Sequence, residues 1–137
     1  MAEHVPGERI VDLSMLIELA GPCADDEGLV IADARGDLVF SNDRAVDILG
    51  IVRIGAGVDD YSALHGVFTE EGRPYPSTDL PLARAILHQK TSRDVRLLLK
   101  RPDGICRRLS VSARPLLDAG KALVGAVVVF RALPPLS

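Results

Sequence analysis

The chain has 137 residues, of which 47% are hydrophobic and 26% charged, with a formal net charge of −3. That length suits one domain with a single core, and the balance of apolar and charged residues excludes a disordered polar chain. No apolar run reaches the roughly 20 residues that span a bilayer, and an aromatic content of 4% with an acidic balance offers no footing for nucleic acid.

The opening stretch MAEHVPGERI has no basic region followed by an apolar one, so no secretory signal is expected and a cytoplasmic location is. Cys23 and Cys106 lie far apart without CxxC spacing and read as free, buried thiols. Charge is unevenly spread. Residues 1–92 carry 7 basic and 16 acidic side chains, and residues 93–137 carry 9 and 3. Basic residues on the solvated face of a sheet, where they also blunt its edges, account for the asymmetry.

Glu8–Ala20 reads as an amphipathic helix with Ile10, Leu13, Leu16, Ile17 and Ala20 on one face, widened by Val11, Met15 and Leu19. Gly21-Pro22 stops it. A helix so apolar at a domain edge is expected to pack on the sheet and also on a second chain. Gly28–Asp33 and Asp37–Ser41 form a strand pair across the tight loop Ala34-Arg35-Gly36. Asn42–Leu49 is a short helix, capped by Ser41 or Asn42 and closed by Gly50.

Ile51–Ser77 is irregular, with a helical turn expected within Tyr61–Phe68. A helix then runs from Leu80 to about Gln89, capped by Thr78 or Asp79, with Pro81 in its first turn. Its face of Leu82, Ala85, Ile86 and Gln89 would lie over the sheet. Three β-rich runs close the chain: Asp94–Lys100, Cys106–Leu117 and Ala122–Arg131. Pro102-Asp103-Gly104 and Asp118-Ala119-Gly120-Lys121 join them as hairpin turns, with glycine supplying the positive φ. The middle run alternates Leu109, Val111 and Ala113 with Ser110, Ser112 and Arg114, which implies one wet face. The last run, Leu123–Phe130, is apolar throughout, which implies cover on both sides. That makes it the central strand and gives a five-stranded antiparallel sheet of order 2-1-5-4-3, an α+β fold. Short helices would cover one face, and the first helix or a partner subunit the other.

Three stretches in this order resemble a PAS domain over about Ala24 to Arg131: GLVIADARGDLVFSNDRAVDILG, EEGRPYPSTDLPLARAILHQKTSRD and RPDGICRRLSVSARPLLDAGKALVGAVVVFRAL. The second is similar to a bacterial subgroup. The resemblance implies a five-stranded sheet, helices on one face and a pocket between. It also implies a sensory or interaction module, without catalysis of its own, of bacterial signal transduction or transcription regulation. Residues 1–22 would be a cap or dimerisation helix, 23–133 the PAS domain and 134–137 a tail. The partners implied are a second copy of the chain, forming a homodimer, and an output domain such as a kinase, cyclase, phosphatase or transcription regulator. A small ligand is implied too. Haem and flavin are not supported: the position where related haem binders carry histidine falls near Pro81, with His88 about two turns later. Asn42-Asp43-Arg44 also lacks the cysteine of flavin-binding light sensors. Pro134-Pro135 would interrupt a continuing signalling helix.

A pocket beneath the helices would draw on Ile48, Leu49, Leu64, His65, Phe68, Leu82, Ile86, Leu97, Leu109 and Val111, and the same side chains serve equally as a filled core. Asn42 and Asp79 are the expected structural caps. The expected dimer interface is Ile10, Leu13, Leu16, Ile17, Val128 and Phe130. His4, His65 and His88 have no metal-ligand spacing, so no metal is expected. The alternatives are a structural dimerisation scaffold with a filled core, and a small hydrolase or isomerase using His65 with Asp59 or Asp60.

Overall fold

The computed structural model describes residues 11–134. Among them an antiparallel sheet is built from β1 (Gly28–Asp33), β2 (Leu38–Ser41), β3 (Val67–Phe68), β4 (Ser92–Lys100), β5 (Cys106–Leu117) and β6 (Leu123–Ala132). Its order is β2-β1-β6-β5-β4-β3. The five expected strands stand in the expected order. The sixth, β3, adds at the edge, with Val67 opposite Leu99 and Phe68 opposite Leu98. Two residues are too few to leave a periodic signal in a sequence.

The last strand is central. It pairs with the whole length of β1, from Gly28 opposite Phe130 to Asp33 opposite Gly125, and with β5 on the other side. Successive β6 residues point to opposite faces. Ala126, Val128 and Phe130 join the inner core beneath the helices, whereas Val127 and Val129 face outward. The expectation that Val128 and Phe130 form a dimer interface is therefore overturned, because their parity puts them inside.

The outer face is covered by α1 (Leu13–Ala20), which packs on β1, β5 and β6. It starts later than Glu8: Val11 and Asp12 precede it, and the Asp12 carboxylate accepts from the Met15 N–H at 2.9 Å, which fixes the N-cap. Leu16 and Ala20 are buried against Leu29, Ile31, Leu116, Val124 and Val127. Leu16 thus serves the chain's own sheet and not a dimer contact. Leu13 and Ile17 are about two-fifths exposed, and Ile10 lies outside the described residues. Gly125 lets the helix come close, since a Cβ there would stand 3.0 Å from Leu16 Cδ2 and 2.4 Å from the Ala32 carbonyl oxygen. The Arg114 guanidinium donates to the Leu19 and Ala20 carbonyls at 3.1 and 2.8 Å, closing the helix C-terminus.

The inner face carries α2 (Asp43–Leu49), α3 (Tyr61–His65) and α4 (Pro81–His88), with 3-10 turns at Val58–Asp60 and Ser77–Asp79. Asn42 caps α2 as expected. Its Oδ1 accepts from Ala45 N–H at 2.8 Å and Leu29 N–H at 3.0 Å, which also ties the helix to β1. Asp79 does not cap α4. A proline at the first helical position forces the residue before it to be extended, so Leu80 (φ −62°, ψ 149°) is the cap residue and Asp79 falls one position short. Glycine takes the positive φ in the first closing turn, at Gly104, but in the second it is Lys121. Cys23 and Cys106 are free, and Cys106 is exposed, contrary to the expectation of a buried thiol. Among the described residues no helix is long and apolar enough to cross a membrane.

Candidate functional site: an apolar cavity between sheet and helices

The irregular stretch before β3 folds into α3 because Gly66 stops it in the left-handed region (φ 65°). A Cβ on Gly66 would lie 2.2 Å from the Lys100 carbonyl oxygen, so α3 is held directly against the end of β4. Tyr61 and His65, four residues apart, turn inward together. Between them and the sheet is a cavity of about 90 Å³. Its walls are apolar: Val30, Leu38, Val128 and Phe130 from one half of the sheet, Val67, Leu97, Leu99, Leu109 and Val111 from the other, and Leu49, Val52, Leu80, Pro81 and Leu82 above.

The two polar groups in the lining are already satisfied. The Tyr61 hydroxyl donates to the Gly36 carbonyl. Burial, helped by Asp33 and Asp37, raises its pKa well above the usual value. His65 Nε2 accepts from the Arg53 N–H at 3.1 Å and Nδ1 faces the Tyr61 carbonyl at 2.8 Å, which fixes the neutral Nδ1–H tautomer. Burial lowers the His65 pKa from 6.5, and the nearby Arg53 charge adds to this against the Tyr61 hydrogen bond. His65 is thus engaged by main-chain groups and not by Asp59 or Asp60. The arrangement needed for a His-carboxylate hydrolase or isomerase is not assembled. Among the described residues no group of three or more His, Cys, Asp or Glu could hold a metal ion.

Of the sequence-predicted pocket residues, Leu49, His65, Leu82, Leu97, Leu109 and Val111 come together on the cavity. Ile48 and Ile86 are buried in the core without lining it, Leu64 is exposed, and Phe68 sits half-buried in β3. Tyr61, Val30, Leu38, Val52, Leu80, Val128 and Phe130 line the cavity and were not anticipated. The four-residue spacing of Tyr61 and His65 was the signal available for Tyr61.

Size and chemistry limit what fits. A cavity of about 90 Å³ is well below the roughly 300–1,000 Å³ of ordinary ligand sites. An apolar wall also favours neither water nor a charged group. As shaped, it fits neither haem nor flavin. It suits an uncharged apolar molecule of a few heavy atoms.

Comparison with protein-family models and with curated proteins finds no match. Comparison with solved structures does. The light-state dimer of the fungal blue-light photoreceptor Vivid superposes with a TM-score of 0.63 at 12% identity, covering 95% of this chain and 99% of that one. The PAS domain of the fruit-fly ELK potassium channel gives 0.61 at 11% identity, covering 79% and 87%. A PAS domain from Colwellia psychrerythraea gives 0.52 at 16% identity, covering 78% and 86%. The chain has the PAS fold. In PAS terms, the cavity lies between the antiparallel sheet and the helices packed on its inner face, and α1 lies on the sheet's other side.

Proposed function

We propose that this PAS-fold chain is a sensory or interaction module of bacterial signal transduction or transcription regulation, with no catalysis of its own. It binds a small apolar ligand and acts as a homodimer. The observation that carries the reading is the double role of β6. Val128 and Phe130 line the cavity, while Val127 and Val129, which alternate with them along the strand, pack with the cluster under α1. A ligand that prefers one arrangement of the cavity wall changes the seat of α1 through a single strand, by as much as its differential affinity for the two arrangements. Leu13 and Ile17 on α1, with Val11 just before it, leave an exposed apolar stripe suited to a second copy. An output domain of the kinase, cyclase, phosphatase or transcription-regulator type would read the change.

Xenon under pressure tests the cavity, and sedimentation tests the dimer. Xenon is expected to shift the methyl resonances of Leu109, Val111 and Val128, and Ile17→Glu is expected to turn a dimer into a monomer. An unchanged methyl spectrum rejects the ligand site and leaves a dimerisation scaffold. A wild-type chain that sediments as a monomer rejects the dimer.

A further inference from the structure

The sheet has one edge that the chain does not finish. β4 is nine residues long and β3, its outer neighbour, only two. Beyond Phe68 the chain leaves β4 through a turn in which Thr69 N–H bonds to the Arg73 carbonyl and Gly72 N–H to the Thr69 carbonyl. Which β4 groups are left over follows from the ladder. Lys100 N–H donates outward, to the Gly66 carbonyl, and Arg101 N–H donates to Ile105 in the hairpin with β5. Alternate residues of an antiparallel strand bond to opposite neighbours. Leu97 and Leu99 therefore bond to β5, while Leu98 and Arg96 direct their main-chain groups away from it. On that outer side Leu98 meets Phe68, but Arg96 has no paired strand residue among the described residues.

The space it faces is a groove of about 800 Å³ between the turn after β3, the segment before α4, and α4 itself. Arg84, Lys90 and Arg96 line it, and none has an ion-pair partner among the described residues. Glu70 is engaged with Arg108 at 3.7 Å. Glu71 and Asp79 stand on the groove's loop side and favour an amide or a basic residue there. Edge strands often carry basic residues simply to discourage pairing. Here the edge also has a groove beside it and three basic side chains without an ion-pair partner among the described residues.

We propose that the edge of β4 at Arg96 receives an extended acidic segment of a partner protein as an added strand. The segment exchanges two main-chain hydrogen bonds with Arg96 and sets carboxylates against Arg84, Lys90 and Arg96. A second copy of this chain is a poor occupant, because antiparallel pairing of two β4 edges centres Arg96 on Arg96. The ladder is short: β4 bulges between Ser92 and Val95, and the Asp94 N–H turns away to the Ser112 hydroxyl at 3.0 Å. Charge therefore carries much of the binding, which weakens as salt rises.

The test uses the full chain, labelled for amide NMR, and acetylated, amidated heptapeptides alternating valine or threonine with glutamate. The expected result is saturable shifts centred on the Arg96 amide, with slowed hydrogen exchange there. The same peptides with lysine for glutamate are expected to bind at least about tenfold more weakly, as is a peptide N-methylated at its centre. Arg96→Pro removes the outward N–H together with the guanidinium, but no bond to β5, and is expected to weaken the glutamate peptides at least as much. Arg96→Glu, which keeps the N–H, reports on the charge alone. No saturable shift with the glutamate series, shifts centred elsewhere, or equal binding of the lysine series overturns the proposal.

Discussion

The two faces of β6 are packed by opposite strategies. On the inner face, three short helices and two 3-10 turns meet around a residual cavity of about 90 Å³, and the polar side chains there are satisfied by main-chain groups. On the outer face, one helix of eight residues rests closely on the strand: Leu16 Cδ2 stands 3.0 Å from where a Cβ on Gly125 would be. The inner face can absorb a small change of volume, because its walls enclose unfilled space. The outer face cannot. Free volume and close packing are thus placed on opposite sides of the same strand.

The sharpest way to break this contrast is Gly125→Ala. The added methyl would approach the Ala32 carbonyl oxygen to 2.4 Å and Leu16 to 3.0 Å, and the first of these is backbone in the β1–β6 ladder. A stability loss of about 3 kcal/mol, at the upper end of overpacking costs, is expected in urea melts. A loss below about 0.5 kcal/mol, the size of an ordinary surface change, would mean that neither the β1–β6 approach nor the seat of α1 is as described.

The contrast also shows what could be read from the sequence. Turn residues gave the hairpin neighbours and alternation the wet face of β5, because Pro-Asp-Gly and the Ser/Val alternation are local signals. The continuous apolar run of β6 gave its central place but not its parity. Val111 lies directly opposite Phe130. Cross-strand partners share a face, so assigning Val111 to a pocket and Phe130 to a dimer interface was internally inconsistent once the strands are paired in this register. Asp79 failed as a cap for a reason also visible in the sequence, the proline two residues on. Arg114 read as a residue of the wet face. Its real partners are two carbonyls of α1 more than ninety residues earlier, and no local pattern encodes a contact of that range. The two-residue β3 and the cavity wall depend on tertiary packing alone.

His65 sharpens the inner side of the comparison. His65→Ala leaves the Arg53 N–H and the Tyr61 carbonyl without their partner and is expected to cost about 2 kcal/mol near neutral pH. The wild-type protein should show a matching pH dependence. The folded-state pKa is lowered from 6.5, so the unfolded chain takes up a proton that the folded one resists. Stability is fully present above pH 6.5 and falls as pH drops below it, by up to about 1.4 kcal/mol per pH unit until the folded pKa is reached. Subtracting the His65→Ala curve isolates this slope from the carboxylates. A difference curve that is flat between pH 6.5 and 5, or that rises on acidification, would contradict the Nδ1–H tautomer and its Arg53 contact.

Arg114→Ala is the mildest way to loosen the outer side. It leaves the sheet ladder and the Leu16 contact intact and removes two charge-assisted bonds to the last carbonyls of α1. Because Arg114 is exposed, water replaces much of what is lost, and about 1 kcal/mol is expected. Its location should be more telling than its size. If α1 is a separately seated element, hydrogen exchange should speed up at Leu16–Gly21 while the β5–β6 ladder keeps its protection, since local opening draws only on contacts the helix itself makes. Arg114→Lys, which keeps the charge but not the two-pronged geometry, should recover part of the effect. Uniform acceleration across the helix and the ladder would mean that α1 and the sheet open as one unit. The outer face would then be no more independent than the inner one.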